Sequence, residues 1–174
     1  MRRLMLLRHA KADRPHGASD HDRPLAKGGQ TQSKTMGKYM AEQDLVPDLA
    51  IVSTALRAQE TWQFLHPVFS VEIAWRNDAR LYEASVDDIL QVIKETAPSV
   101  YALMLVGHNP GFEQLASNLI GTAHPAALSL LRPGCPPAGL AVIDLAVDTW
   151  ADVSARNGHL ERFKTPESVN DEGF

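Results

Sequence analysis

The sequence predicts an α/β domain of three layers, α/β/α, with a mostly parallel central sheet and helices on both faces. Three observations carry that expectation. Short apolar runs recur at residues 4–7, 49–52, 101–106 and 140–145, the last interrupted only by Asp144. A run without polar alternation is what a strand buried on both faces requires. Segments with helical spacing lie between these runs, and strand–helix alternation is the pattern of a parallel sheet crossed by helices. No repeat, low-complexity tract or linker divides the 174 residues, so 1–174 reads as a single domain of ordinary size.

Each element has its own reason. Leu4-Met5-Leu6-Leu7 is the first strand. Residues 13–29 are rich in Asp, Pro, His and Gly and read as a loop. A helix follows over 27–43, and Pro47 breaks the chain. Leu49-Ala50-Ile51-Val52 is the second strand, with a helix over 55–65 and a third strand over 71–75. Residues 85–97 form the clearest helix. Ser85 with Asp88 three residues on resembles a capping box. Val86, Ile89, Leu90, Ile93 and Ala97 then share one face, while Asp87, Gln91, Lys94 and Glu95 point outward. Residues 101–106 are a further strand. Pro110 opens a helix with Phe112, Leu115, Ala116, Leu119 and Ile120 on one side. Residues 121–138 read as a Pro- and Gly-containing connection with some helical potential. Residues 140–145 and 160–163 are the last strands, and the polar tail after Pro166 is expected to fray. Trp62, Phe64 and Phe69 are expected in the core; Trp75 and Trp150 fit either core or surface.

Composition narrows the function classes. Hydrophobic residues at 44% and charged residues at 22% are globular proportions and exclude disorder as the main state. One cysteine, Cys135, excludes an internal disulfide framework and a cysteine-based zinc site. The apolar runs fall far short of the roughly 20 residues of a membrane helix, and residues 4–7 are too short for a signal-peptide core. A cytoplasmic protein with no membrane partner is therefore expected. Seventeen basic against 21 acidic residues, net −4, argues against a nucleic-acid partner. A local basic cleft is still compatible with that balance. The oligomeric state is not set by the sequence, and a monomer is the default.

In a doubly wound sheet ligands bind beyond the carboxyl ends of the strands. After the first strand comes Arg8-His9. After the second comes Ser53-Thr54-Ala55-Leu56-Arg57, and after the 101–106 strand comes Gly107-His108-Asn109-Pro110. Two arginines and two histidines at three strand ends describe an anion site. Guanidinium groups hold phosphate by paired, charge-assisted hydrogen bonds. The free N–H groups at the helix start near Thr54 and Ala55 can also face an anion. One imidazole can attack phosphorus while the other steadies charge on the transferring oxygens. His16, Asp20, His21 and Asp22 match no metal-ligand spacing and are expected to rim the pocket or face solvent. Asp22-Arg23-Pro24 reads as a turn that orders the loop. Cys135 reads as an inert thiol.

These residues form a recognisable set. Leu7-Arg8-His9-Ala10-Lys11-Ala12 resembles the Arg-His-Gly signature of the histidine phosphatase superfamily, which includes the phosphoglycerate mutase-like enzymes. The block from Ser53 to Thr61, with Arg57 and Ala58 at its centre, resembles that family's second motif. Val106-Gly107-His108-Asn109-Pro110 resembles its second histidine block. Asp22-Arg23-Pro24-Leu25 followed by Gly28 or Gly29 is similar to the segment between the first two. Gly158-His159-Leu160 with Phe163-Lys164-Thr165-Pro166 resembles the closing strand of the short SixA-like phosphohistidine phosphatase branch.

The resemblance implies a phosphoglycerate mutase-like fold in a minimal form without a lid insertion. It implies His9 as the nucleophile that becomes phosphohistidine, and Arg8 and Arg57 as the phosphate clamp. His108 would donate to the equatorial oxygens, so His9 and His108 join the two arginines in binding phosphate. No metal and no other cofactor is implied. Glu83, ahead of the capped helix, is the local candidate for the leaving-group acid. Ala10 stands where the signature has glycine, and Thr54 where the family has proline. The short chain, the Lys11-Ala12 continuation and the short stretch from Arg57 to His108 leave no room for a lid. The expected substrate is therefore phosphohistidine on a protein. A small phosphoester and a non-catalytic phosphate-binding module are the alternatives.

Overall fold

Buried on both faces, the apolar run of β1 (Arg2–Arg8) lies near the middle of the sheet. The computed structural model describes residues 1–172. In chain order the elements after β1 are α1 (Lys27–Glu42), β2 (Leu49–Val52), α2 (Leu56–Leu65), β3 (Ala74–Asn77), α3 (Val86–Lys94) and β4 (Ala102–Gly107). Then come α4 (Gly111–Leu119), β5 (Ile120–Ala123), α5 (Pro125–Leu131), β6 (Leu140–Leu145), β7 (Gly158–Lys164) and α6 (Pro166–Asp171). Among the described residues the sheet has seven strands in the order β3-β2-β4-β1-β6-β7-β5. β1 to β4 run parallel to one another, β6 runs antiparallel to both β1 and β7, and β5 is parallel to β7. Every strand but β6 thus points one way, and the mixed sheet is mostly parallel.

Strand alternation divides the core into two halves. Leu4 and Leu6 of β1, Leu103 and Leu105 of β4 and Ile143 of β6 pack with Ile89, Val92 and Ile93 of α3 and Phe112, Leu115 and Leu119 of α4. Met5, Leu7, Met104, Val106 and Val142 face the other way, onto Met36, Tyr39 and Met40 of α1 and Trp62 and Leu65 of α2. Helices on both faces give the three layers. Trp62 and Phe69 are core, Phe64 is half-buried against it, Trp150 is buried and Trp75 is exposed. The buried Trp150 indole donates to the Val100 carbonyl at 2.6 Å.

Four expectations need correction. The third strand is Ala74–Asn77 rather than 71–75, because its place is set by pairing Leu49 with Ala74 and Val52 with Asn77. As an edge strand with all four residues exposed, it carries no apolar signature. Within 121–138, residues 120–123 form the opposite edge strand β5, and the helical potential is realised in α5. β7 extends beyond 160–163 to Gly158–Lys164. The tail after Pro166 folds as α6. Thr165 Oγ1 accepts from the Ser168 amide, Ser168 Oγ accepts from the Thr165 amide, and Val169 is fully buried in the α1–α2 half of the core.

Candidate active site

Register brings the chemistry together. β4 lies between β1 and β2, with Arg8 paired to Gly107 and Val52 paired to Val106. The chain leaving β1 stays in contact with β4, since the His9 amide donates to the Gly107 carbonyl at 2.9 Å. The Ser53 amide likewise donates to Val106 at 2.9 Å. Three adjacent strand ends therefore present Arg8-His9, Ser53 and His108 side by side, and the first turn of α2 adds Arg57. The His9 and His108 rings lie 5.1 Å apart.

Each histidine has one ring nitrogen bonded to the protein. His9 Nδ1 lies 2.8 Å from the Ala10 carbonyl, which can only accept, so Nδ1 carries the proton. Nε2 is left with its lone pair, and Arg57 Nε–H points at it from 3.4 Å. Burial pushes His9 down to about 4, with Arg57, Arg8 and Arg23 acting in the same direction against the Ala10 carbonyl. At neutral pH His9 is an uncharged imidazole whose Nε2 lone pair meets only the long Arg57 Nε–H contact. His108 Nε2 lies 2.7 Å from Ser53 Oγ, and that oxygen accepts from the Ala55 amide at 3.3 Å. Ser53 Oγ keeps its own proton, and when it donates that proton to Nε2 the proton of His108 sits on Nδ1. That nitrogen is buried and has no partner among the described residues. A buried donor without a partner beside two arginines fits an oxyanion. Burial, then the nearby His9 and Arg57, push His108 down to about 3.

The arginines are held by backbone. Arg8 NH1 donates to the Cys135 carbonyl at 2.9 Å. That carbonyl also takes Asn109 Nδ2, and Glu113 Oε1 accepts from Asn109 and from the Cys135 amide. The Ala138 amide contacts both the Arg8 and His9 carbonyls at 3.1 Å, so residues 133–139 brace the end of β1. Ala138 itself sits at φ +61°, a conformation uncommon for alanine. Arg57 is nearly buried and is tied to Asp20. NH1 donates to the Asp20 carbonyl at 2.7 Å and NH2 to its Oδ2 at 3.2 Å.

The structure places Arg8, His9, Arg57 and His108 in one cluster. Glu83 stands at its rim. It is exposed and lines a groove of about 320 Å³ together with Arg57, Tyr82, His108 and Asn109. Its φ of +51° is a strained conformation for glutamate, of the kind that collects at functional sites. Asp20, His21 and Asp22 form a docked rim. His21 Nε2 bonds Thr54 Oγ1 at 2.9 Å, and the Leu56 amide donates to the His21 carbonyl at 2.9 Å. Thr54, where the family has proline, is thus a tether for the loop. Ala10 needs no left-handed backbone, and its buried amide donates to Thr61 Oγ1 at 3.0 Å. Of the two glycines, Gly29 is the constrained one: a Cβ there would lie 2.0 Å from the Lys11 carbonyl oxygen, whereas Gly28 faces open space.

Sequence reasoning missed three contributors. Tyr82 donates to Asp20 Oδ2 at 2.5 Å and sets its ring edge-on to His108 and to His21. Ser53 holds His108 through Nε2, although it stood inside a motif already singled out. The 133–139 loop holds Arg8 through main-chain atoms, which no side-chain pattern announces.

The chain belongs to the histidine phosphatase superfamily (branch 1), whose family model matches residues 4–115. It is 32% identical over 162 residues to an uncharacterized protein of Mycobacterium tuberculosis, covering 92% of this chain and 99% of that one. A crystal structure from Agrobacterium tumefaciens, named as a candidate phosphohistidine phosphatase SixA, is similar with a TM-score of 0.80 and 31% identity, covering 95% of this chain and 98% of that chain. The protein histidine phosphatase SixA complexed with tungstate shares the fold, with a TM-score of 0.74 and 20% identity over 96% of this chain and 99% of its own. No helix among the described residues is long and apolar enough to cross a membrane.

Proposed function

We propose that this protein is a phosphatase that acts through a phosphohistidine on His9, with phosphohistidine on a partner protein as its substrate. The observation that carries the reading is the state of His9: neutral, proton held on Nδ1 by Ala10, and the Nε2 lone pair beneath Arg57 Nε. Nε2 attacks phosphorus, the bond from phosphorus to the leaving group breaks, and the leaving nitrogen or oxygen takes a proton. Water then attacks the phosphoryl group, its proton departs, the N–P bond breaks, and His9 returns neutral with phosphate released. Arg8 and Arg57 neutralise the transferring oxygens, and His108 Nδ1–H donates to them. Glu83 gives the proton in the first step and receives one in the second.

The substrate class rests on access. The groove beside Arg57 and His108 is bordered by turns and by the start of α4, with no inserted lid among the described residues. A side chain presented by another protein can enter such a site. The likeness to the Agrobacterium structure supports the same reading. A second reading, hydrolysis of a small phosphoester, is favoured by the rim position of Glu83, since an alkoxide leaving group needs an acid more than an imidazole does. Phosphate release from an aryl phosphate and from a phosphohistidine-bearing protein, measured with wild type and His9→Ala, separates the two. We expect His9-dependent release that favours the phosphoprotein. Faster His9-dependent release from the aryl phosphate selects the second reading, and release unchanged in His9→Ala refutes both.

A further inference from the structure

Asp20 belongs to the loop between β1 and α1, yet it touches Arg57 twice across 37 positions of sequence. The two contacts have a direction. The Asp20 carbonyl takes NH1 and Oδ2 takes NH2, so Asp20 occupies the far end of the guanidinium. Nε, on the side edge, is turned to His9 Nε2 at 3.4 Å. NH2 carries a second hydrogen that points the same way as Nε–H. Those two donors form the planar fork that matches two oxygens of a phosphoryl group.

Asp20 is itself fixed on both carboxylate oxygens. Oδ2 accepts from the Tyr82 hydroxyl at 2.5 Å and Oδ1 accepts from Arg23 NH1 at 3.1 Å. The next residue is anchored through His21 to Thr54 and to the Leu56 amide. We infer that Asp20, secured by Tyr82, is a positioning residue that clamps the far end of Arg57 so that its Nε edge presents a two-donor fork to a phosphoryl group at His9. A carboxylate acting as a rival of phosphate would take the Nε edge; this one takes the opposite end. Asp20 stays ionised in that role, because the Tyr82 hydrogen bond, reinforced by Arg23 and Arg57, holds it well below the usual carboxylate range. The inference rests on the phosphatase reading only in taking His9 as the place where the phosphoryl group arrives.

The test is a double-mutant cycle with two readouts, kcat/KM for an aryl phosphate and the affinity for orthovanadate measured by calorimetry. Asp20→Ala is expected to lower both on the order of 10- to 100-fold, the scale of a misplaced catalytic group, with the melting temperature unchanged. Tyr82→Phe, which keeps the ring and removes the hydroxyl, is expected to give a smaller loss in both. In an Arg57→Ala background the added Asp20→Ala is expected to change neither by more than about twofold, because the clamp then has nothing to aim. A full loss persisting in that background would show that Asp20 acts elsewhere. Tighter vanadate binding by Asp20→Ala would show that it competes with the anion. Should wild type bind vanadate without His9-dependent turnover, the phosphatase reading fails while the affinity arm still decides the role of Asp20. A wild type that binds no oxyanion overturns both.

Discussion

His9 and His108 share one design: each imidazole has one nitrogen committed to the protein and one left for chemistry. The commitment is what fixes the tautomer. Ser53 is the more exposed to test, because its hydroxyl is the group bonded to His108 Nε2. Ser53→Ala frees Nε2 to take that proton, and Nδ1 then faces the phosphoryl oxygens with a lone pair. We expect kcat to fall on the order of 100-fold with the melting temperature nearly unchanged, checked by steady-state kinetics and by nitrogen NMR of the His108 ring. Arg8, His9, Arg57 and His108 were legible in the sequence because strand ends place side chains at a predictable edge. Asp20 was legible only as a rim residue, and Tyr82 not at all, since the contacts between Asp20 and Arg57 and between Tyr82 and Asp20 span 37 and 62 positions along loops that no periodicity describes.

The elements were legible in proportion to their burial. β1, β2, β4 and β6 announce themselves because both faces are covered, which demands apolar runs. The edge strands β3 and β5 lie under less of that demand, so β3 reads three residues early, at 71–75, and β5 reads as connection. α6 hides for another reason: its one core residue, Val169, sits among polar neighbours, and its start is written in the Thr165–Ser168 cap. The start of α1 carries the sharpest constraint. Its backbone packs on Lys11, just after the His9 strand end, with the Ala26 amide on the Lys11 carbonyl at 2.9 Å. Gly29→Ala must push this contact apart and is expected to lower stability by about 1–3 kcal/mol and to reduce turnover. Gly28→Ala, one residue earlier and facing open space, is expected to raise stability by up to about 1 kcal/mol, both read by urea titration.

At the scale of the molecule, the three-layer arrangement followed from the strand–helix alternation, while the reversal of β6 did not, because an apolar run carries no direction. Burying two histidines under arginines also has a global consequence. Unfolded, both titrate near the ordinary value of 6.5; folded, they wait until about 4 and about 3. Below 6.5 the unfolded chain takes up protons that the folded chain refuses. Stability is therefore fully present above that pH and falls as pH drops toward 4. The slope reaches about 2.7 kcal/mol per pH unit where both contribute. Urea midpoints at pH 7 and pH 5 should differ accordingly, and His9→Gln with His108→Gln should flatten the difference. An unchanged midpoint in wild type would mean that the two rings are not held neutral by the fold.

Cys135 divides its duties between two atoms. Its carbonyl steadies Arg8, while burial pushes its thiol up to about 12 and leaves the sulfur weakly bonded to the Pro136 and Gly139 carbonyls. Oxidants and alkylating reagents react with thiolate, and at neutral pH this sulfur offers almost none. The support of the anion site is thereby insulated from the redox poise of its surroundings.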